Sequence, residues 1–371
     1  MIRKAVIHQT MIHKMGSPRI IRMCLLLAVA LTLAVPASAE WNEKVLYSFQ
    51  GGANDGAVPA GGVVFDKQGN LYGATTGGGP VGTAFQLRPP AQKGDPWTET
   101  LIYEFQGEGS KDGGEPNSGL IMDAAGNLYG VTAYGGTGNC KLLGILYGCG
   151  TVYELSPPQQ QGGAWTETIL YSFPTAKQGY LPNGNLVFDS AGNLYGATEF
   201  GGGKGTTCDE FYQYCGAVFE LSPPKSKGGK WTEKVLHAFK SGTDGAAPNG
   251  GLVFDNKGAI YGTTYGGGTE GGECGSGGCG TVFKLAPPNV KGGLWTEEVL
   301  DRFNPGISGA AQPAVGVILD KGGNLYGTTV GGGTAGRGRF SSLLRVLAVS
   351  GGSACYTAFG TATTEASLDP A

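Results

Sequence analysis

Acids and aromatics that fall outside the chain's repeating pattern are the residues whose types and spacing could do chemistry. Glu199, Asp209, Glu210, Glu270 and Glu273 cluster in glycine-rich stretches, while most other acids recur at fixed phase. Two such carboxyl groups about 5 to 10 Å apart can cleave a glycosidic bond. A carbohydrate-active hydrolase or lyase is therefore one reading. The same stretches carry Tyr134, Tyr147, Phe200, Phe211, Tyr212, Tyr214 and Tyr265. Gathered on one face, these rings suit stacking on sugars or packing against a protein partner. The other reading of them is that they only cover their own loops. His237, the single histidine after residue 39, stands where three other copies carry Tyr47, Tyr103 and Tyr171. It reads as a structural substitution and not as a general base. Glycine triplets such as Gly77-Gly78-Gly79 are followed by no helix pattern and no Gly-Lys-Ser/Thr, which excludes a phosphate loop.

Six of the eight cysteines form local pairs: Cys140 with Cys149, Cys208 with Cys215, and Cys274 with Cys279. Each pair occupies the same loop in three copies, and its second member directly precedes Gly150, Gly216 or Gly280. Loop-closing disulfides follow, each restricting the unfolded segment by about 2 to 3 kcal/mol in the entropic picture. Zinc would need four converging ligands, but the pairs fall in different copies and no histidines accompany them. No calcium-loop pattern occurs either. No metal and no cofactor is expected.

The elements that must position these residues come from a fivefold repeat. Asn70-Leu71-Tyr72-Gly73 returns at Asn127, Asn193, Ala259 (as Ala-Ile-Tyr-Gly) and Asn324, with tyrosine spacings of 57, 66, 66 and 65 residues. Such a period accommodates one four-stranded sheet per copy. In the third copy, Leu186–Asp189 predicts a first strand, Ser190–Asn193 a tight hairpin and Leu194–Thr198 a second strand. Gly216–Leu221 predicts a third strand stopped by Pro223-Pro224, and Trp231–Phe239 a fourth. Asp66, Asp123, Asp189, Asp255 and Asp320 end the first strands; Glu43, Glu99, Glu167, Glu233 and Glu297 follow the tryptophans by two. Recurrence at fixed phase reads as turn capping and solvated strand faces, not catalysis. Trp41, Trp97, Trp165, Trp231 and Trp295 read by the same logic as packing between sheets. The expectation is an all-β, five-bladed β-propeller with four strands per blade, closed by Trp41–Phe49 pairing into the last blade. An open β-solenoid is the competing architecture.

Residues 1–39 stand apart from the repeats. Five basic residues precede an apolar run from Cys24 to Val35, and Ala37-Ser38-Ala39 follows, the pattern of a cleaved export signal. The run is too short to span a bilayer, which takes about 20 residues. Removing residues 1–39 leaves 21 basic residues against 29 acidic ones, a net charge of −8, which argues against nucleic acid or an anionic membrane as partner. Repeats are expected over residues 40–333. In the divergent tail, 334–371, either a substitute third strand lies near Leu343–Val349 or the reading frame is lost and the tail is disordered.

Gly-Leu-Val-Phe-Asp-x-x-Gly followed by a Tyr-Gly-Thr-Thr string, then Gly-Thr-Val-Phe-x-Leu, is best seen in Leu252–Asp255, Tyr261–Thr264 and Gly280–Leu285. It resembles the GloVer tandem repeat of exported bacterial proteins. The resemblance implies a secreted or surface β-rich protein with no established activity, often with a C-terminal anchor; none is evident here. Three functional readings follow: a non-enzymatic exported monomer presenting loops to a glycan or cell-surface protein, a carbohydrate-active enzyme, or a purely structural surface protein. Secretion, or a periplasmic or cell-surface location, follows from the leader.

Overall fold

The computed structural model describes residues 43–107, 112–142, 145–160, 162–202, 215–268, 274, 277–290, 292–304, 310–332 and 343–346. Among the described residues, every sheet lies within residues 46–371. The chain is a five-bladed β-propeller. Blade 1 orders Gly56–Phe65, Leu71–Gly78, Thr83–Arg88 and Thr98–Glu104 from first strand to fourth. Blade 3 repeats it with Tyr180–Phe188, Leu194–Phe200, Ala217–Ser222 and Thr232–Ala238. In blades 2 and 4 the first strands shorten to Ile121–Met122 and Val253–Phe254 and the second to Leu128–Thr132 and Ile260–Thr264, while the third and fourth keep their lengths. All ladders are antiparallel, and the third and fourth strands slip register at one recurring place, as between Val152 and Tyr153 or Val218 and Phe219.

In blade 5 the first strand is split into Ala310–Pro313 and Ile318–Leu319, both on Leu325–Gly332. Leu343–Val346 takes the third-strand place, pairing Leu344 with Gly327. The rest of the tail, 333–342 and 347–371, lies outside the described residues. Trp41 lies outside the described residues, and among those residues 46–50 enter no ladder. Phe49 nevertheless sits edge-on to Phe85 at 4.9 Å, as Phe105 does to Tyr153, Phe173 to Phe219 and Phe239 to Phe283 in later seams.

The blades hold together through these seams. In the core between blades 1 and 2, Tyr72, Ala74 and Phe105 meet Leu120, Leu128 and Tyr153, with Trp165 packed on its side. Trp165 lies 5.8 Å from Tyr72 and Trp295 6.4 Å from Tyr195, each reaching the preceding blade. The glycine of Tyr-Gly is required sterically: a Cβ on Gly196 would stand 2.6 Å from the Phe219 ring. The residue before each first-strand proline, Val58, Glu115, Leu181, Ala247 or Gln312, holds a left-handed φ of 50 to 57°. That conformation costs a non-glycine residue about 1 kcal/mol or more. It aims the N–H across the seam: Glu115 donates to Val81, Leu181 to Cys149, Ala247 to Cys215 and Gln312 to Cys279, always at a carbonyl.

Candidate functional site

The repeating acids occupy scaffold positions. In every blade the Asp that ends the first strand accepts from two backbone N–H groups of its hairpin and from the tyrosine hydroxyl six residues on. Burial raises the carboxyls of Asp66, Asp123 and Asp189, but these donors outweigh it and hold them below the ordinary value. The expected turn-capping role is what the geometry has.

Four of the five recurring glutamates, Glu99, Glu167, Glu233 and Glu297, are half-buried in the seams and not solvated, contrary to the sequence expectation, whereas Glu43 is exposed. Burial, followed by the charge of Asp55, pushes Glu99 up to about 7. Burial pushes Glu233 to about 7 against a bond from Tyr171. Glu167 is raised by burial and then by Asp112, and Glu297 by burial and then by Asp244. Each of the four has a buried Oε1 without a hydrogen-bond partner. A fourfold recurrence at one phase marks scaffold. His237 fits the same frame: its Nε2 lies 3.4 Å from Asp244, and its ring stands edge-on to Phe239 at 4.7 Å, as Tyr103 does to Phe105 and Tyr171 to Phe173.

Asymmetry enters at one ladder position. Where first and second strands meet at their loop ends, blade 1 pairs Ala57 with Gly77, blade 4 Ala246 with Gly266 and blade 5 Ala311 with Gly331. Blade 2 instead pairs Gly114 with Tyr134, and blade 3 pairs Tyr180 with Phe200. Tyr180 and Phe200 stack at 5.2 Å with their planes 25° apart. Tyr134 lies 5.3 Å from Tyr147, and Tyr147 is delivered by a loop that the Cys140–Cys149 disulfide closes. The N–H of Gly135 donates to the Tyr147 carbonyl at 2.7 Å. Because the Cys149 carbonyl receives the Leu181 N–H, the stapled loop of blade 2 is fixed against the strand that carries Tyr180.

Two carboxylates join the rings. Burial raises the Tyr134 hydroxyl, and the charges of Glu115 and Glu199 raise it further. Tyr180 is raised by burial and then by Glu199. Burial also raises Glu199, opposed by a hydrogen bond from Asn183 Nδ2 at 3.4 Å. Asn183 in turn lines a cavity of about 600 Å³ on the propeller axis, to which all five blades contribute residues of the first strand or of the segment beside it, among them Gly61, Ser118, Asn249 and Val315. Ser118 is buried with its Oγ unpartnered, and the Oδ1 atoms of Asn117 and Asn249 are buried and unpartnered too. The arrangement offers ring faces, carboxylates and amides side by side, the donor set that holds a hydroxyl-rich ligand.

Of the sequence-predicted aromatics, the structure brings together Tyr134 and Tyr147, with Phe200 in the adjoining blade. Tyr265 lies one blade further on, at the register of Glu199. Phe211, Tyr212 and Tyr214 lie outside the described residues, as do Asp209, Glu210, Glu270 and Glu273. Tyr180 and Glu115 were not singled out. The signal for Tyr180 was available, since it breaks a position that is otherwise glycine or alanine. The disulfides Cys140–Cys149 and Cys274–Cys279 are formed as expected. Cys215 is disulfide-bonded, and its expected partner Cys208 lies outside the described residues. Among the described residues no helix is long and apolar enough to cross a membrane.

Comparison with solved structures finds a glucose dehydrogenase at 16% identity, covering 81% of this chain and 84% of that one with a TM-score of 0.45. A polysaccharide lyase, an ulvan lyase, matches at 14% identity over 82% of this chain and 72% of its own, TM-score 0.45. A luciferin-regenerating enzyme matches at 14% identity over 74% and 85%, TM-score 0.41. Likeness at this level carries no argument about activity. No curated protein matches the chain. The family model of the Gloeobacter/Verrucomicrobia repeat matches residues 35–272 and 140–363, and the chain belongs to that repeat family.

Proposed function

We propose that this is an exported, non-enzymatic propeller whose second-to-third-strand loops bind glycans, displayed free or on a cell surface. The observation that carries the reading is the aromatic and carboxylate cluster of Tyr134, Tyr147, Tyr180, Phe200, Glu115 and Glu199, which breaks the repeat's symmetry at one place. Sugar rings stack their C–H faces on such rings, while carboxylate and amide oxygens accept from sugar hydroxyls. Local disulfides and the leader-like residues 1–39 support export, with cleavage near Ala39. A glycan-array screen of the secreted, unreduced protein tests the proposal. At least one glycan class should bind, and Tyr134→Ala or Phe200→Ala should weaken it about tenfold, roughly 1.4 kcal/mol. An empty array, or binding that both variants leave unchanged, would refute it.

A second reading rests on Glu115 and Glu199, two carboxylates that act on the same tyrosine. In an enzyme they would cleave the bound glycan. Incubation of each array-positive polysaccharide with the protein, followed by reducing-end and unsaturated-product assays, separates the two. Product formation abolished by Glu199→Gln would establish catalysis, and unchanged polysaccharide leaves binding as the function.

A further inference from the structure

Four hydrophobic cores each join two successive blades, from blade 1 to blade 5. In each, one blade supplies donors and the next supplies acceptors. The donors are the second-strand tyrosine and the second apolar residue of the first strand, as with Tyr195 and Val187 of blade 3. The acceptors are the apolar residue one position earlier in the first strand, the apolar residue that ends the strand and, in blades 2 to 4, the tryptophan, as with Leu252, Phe254 and Trp295 of blade 4. Tyr195 meets Phe254 at 5.0 Å, and Tyr129 meets Phe188 at the same distance.

The fifth core lacks a donor blade. It holds Leu71, Phe85 and Leu87, with Tyr47, Phe49, Trp97 and Leu101 against them, and, among the described residues, none of blade 5. Val63, the counterpart of the buried Leu120, Leu186, Leu252 and Val317, is 48% exposed, and Phe65, the counterpart of Phe188 and Phe254, is 64% exposed. On blade 5 the donor position Ile318 is 69% exposed, and Val330 in the second strand is 52% exposed. Tyr326 enters none of the cores. Apolar side chains of this size, exposed at matching positions on two sheets, mark an interface and not ordinary surface.

The two faces are complementary halves of one kind of seam. They belong to one chain, so self-closure would be the cheapest solution if the geometry permitted it. The four packed seams set the rotation between blades through contacts that do not stretch, such as the 2.7 Å bond from the Gly119 N–H to Asn185 Oδ1 near the axis. With those seams satisfied, Val63, Phe65 and Ile318 remain in solvent. We infer that a second copy of this chain fills the seam, the fifth blade of one molecule packing against the first blade of another. The contact is heterologous, so two molecules can exchange it reciprocally or a chain of molecules can grow.

Mass measurement by light scattering on the unreduced protein at micromolar concentration tests the inference, with circular dichroism reporting the fold. The wild type should run as a dimer or larger. Phe65→Asp and Ile318→Asp, each changing an exposed side chain, should each be monomeric, their association at least tenfold weaker. Mixed in equal amounts, they should recover a dimer, because one keeps an intact donor face and the other an intact acceptor face. Val63→Glu replaces Phe65→Asp if that variant does not fold. A wild type that stays monomeric, a variant that still associates alone, or a mixture that fails to pair would each overturn the inference.

Discussion

Asp189 shows how much one side chain specifies. Its Oδ1 takes the N–H groups of Ala191 and Asn193 at 2.8 and 2.9 Å, and its Oδ2 takes the Asn193 amide and the Tyr195 hydroxyl. The Asp-x-x-Gly-Asn-Leu-Tyr string is thus a closed hydrogen-bond circuit, legible from sequence because every member lies within six residues. Thr198 shows the opposite case. Second- and third-strand threonines bond each other at 2.7 to 2.8 Å in blades 1, 2 and 4, but Thr198 faces Ala217 and its buried Oγ1 has no partner. Ala217→Thr is expected to stabilise the protein by about 1 kcal/mol, read as a raised denaturation midpoint. An unchanged or lowered midpoint would mean that the site has no room for the hydroxyl.

The disulfide loops matter at the scale of elements because they are bonded across a seam as well as within it. Replacing Cys140 and Cys149 by serine should cost about 2 to 3 kcal/mol from the unfolded state alone. It should also free Tyr147 from Tyr134, so glycan binding is expected to fall in the same variant. Loss of stability with binding intact would place the ligand elsewhere. The cysteine pairs and their phase were readable in the sequence. The seam bond from the Leu181 N–H to the Cys149 carbonyl was not, because it depends on a left-handed pre-proline residue in the next copy, a conformation that side-chain type does not announce.

Across the whole molecule, the seam glutamates couple stability to pH. Glu99 and Glu233 sit near 7 when folded against an ordinary value of 4.5, so the folded state holds protons that the unfolded state releases. Their contribution is present below about pH 4.5 and lost as pH rises through 7. Asp66, Asp123 and Asp189, lowered from 3.8, act in reverse: their contribution is present above that value and lost as pH falls below it. Stability should therefore peak at about pH 4 to 5 and decline toward pH 8. Glu99→Gln and Glu167→Gln should flatten that decline, which thermal denaturation across the range measures. A profile that rises from pH 5 to pH 8 would contradict the seam electrostatics.

By itself the sequence determined the blade: hairpin, strand order, staples and fivefold count all follow from contacts between residues close along the chain, repeated until the pattern cannot be missed. Tertiary structure alone decided what happens between blades. Which acids are half-buried, which rings meet over the second and third blades, and whether the first and last sheets touch all depend on rotations summed over four packed seams, and no local stretch of chain encodes that sum.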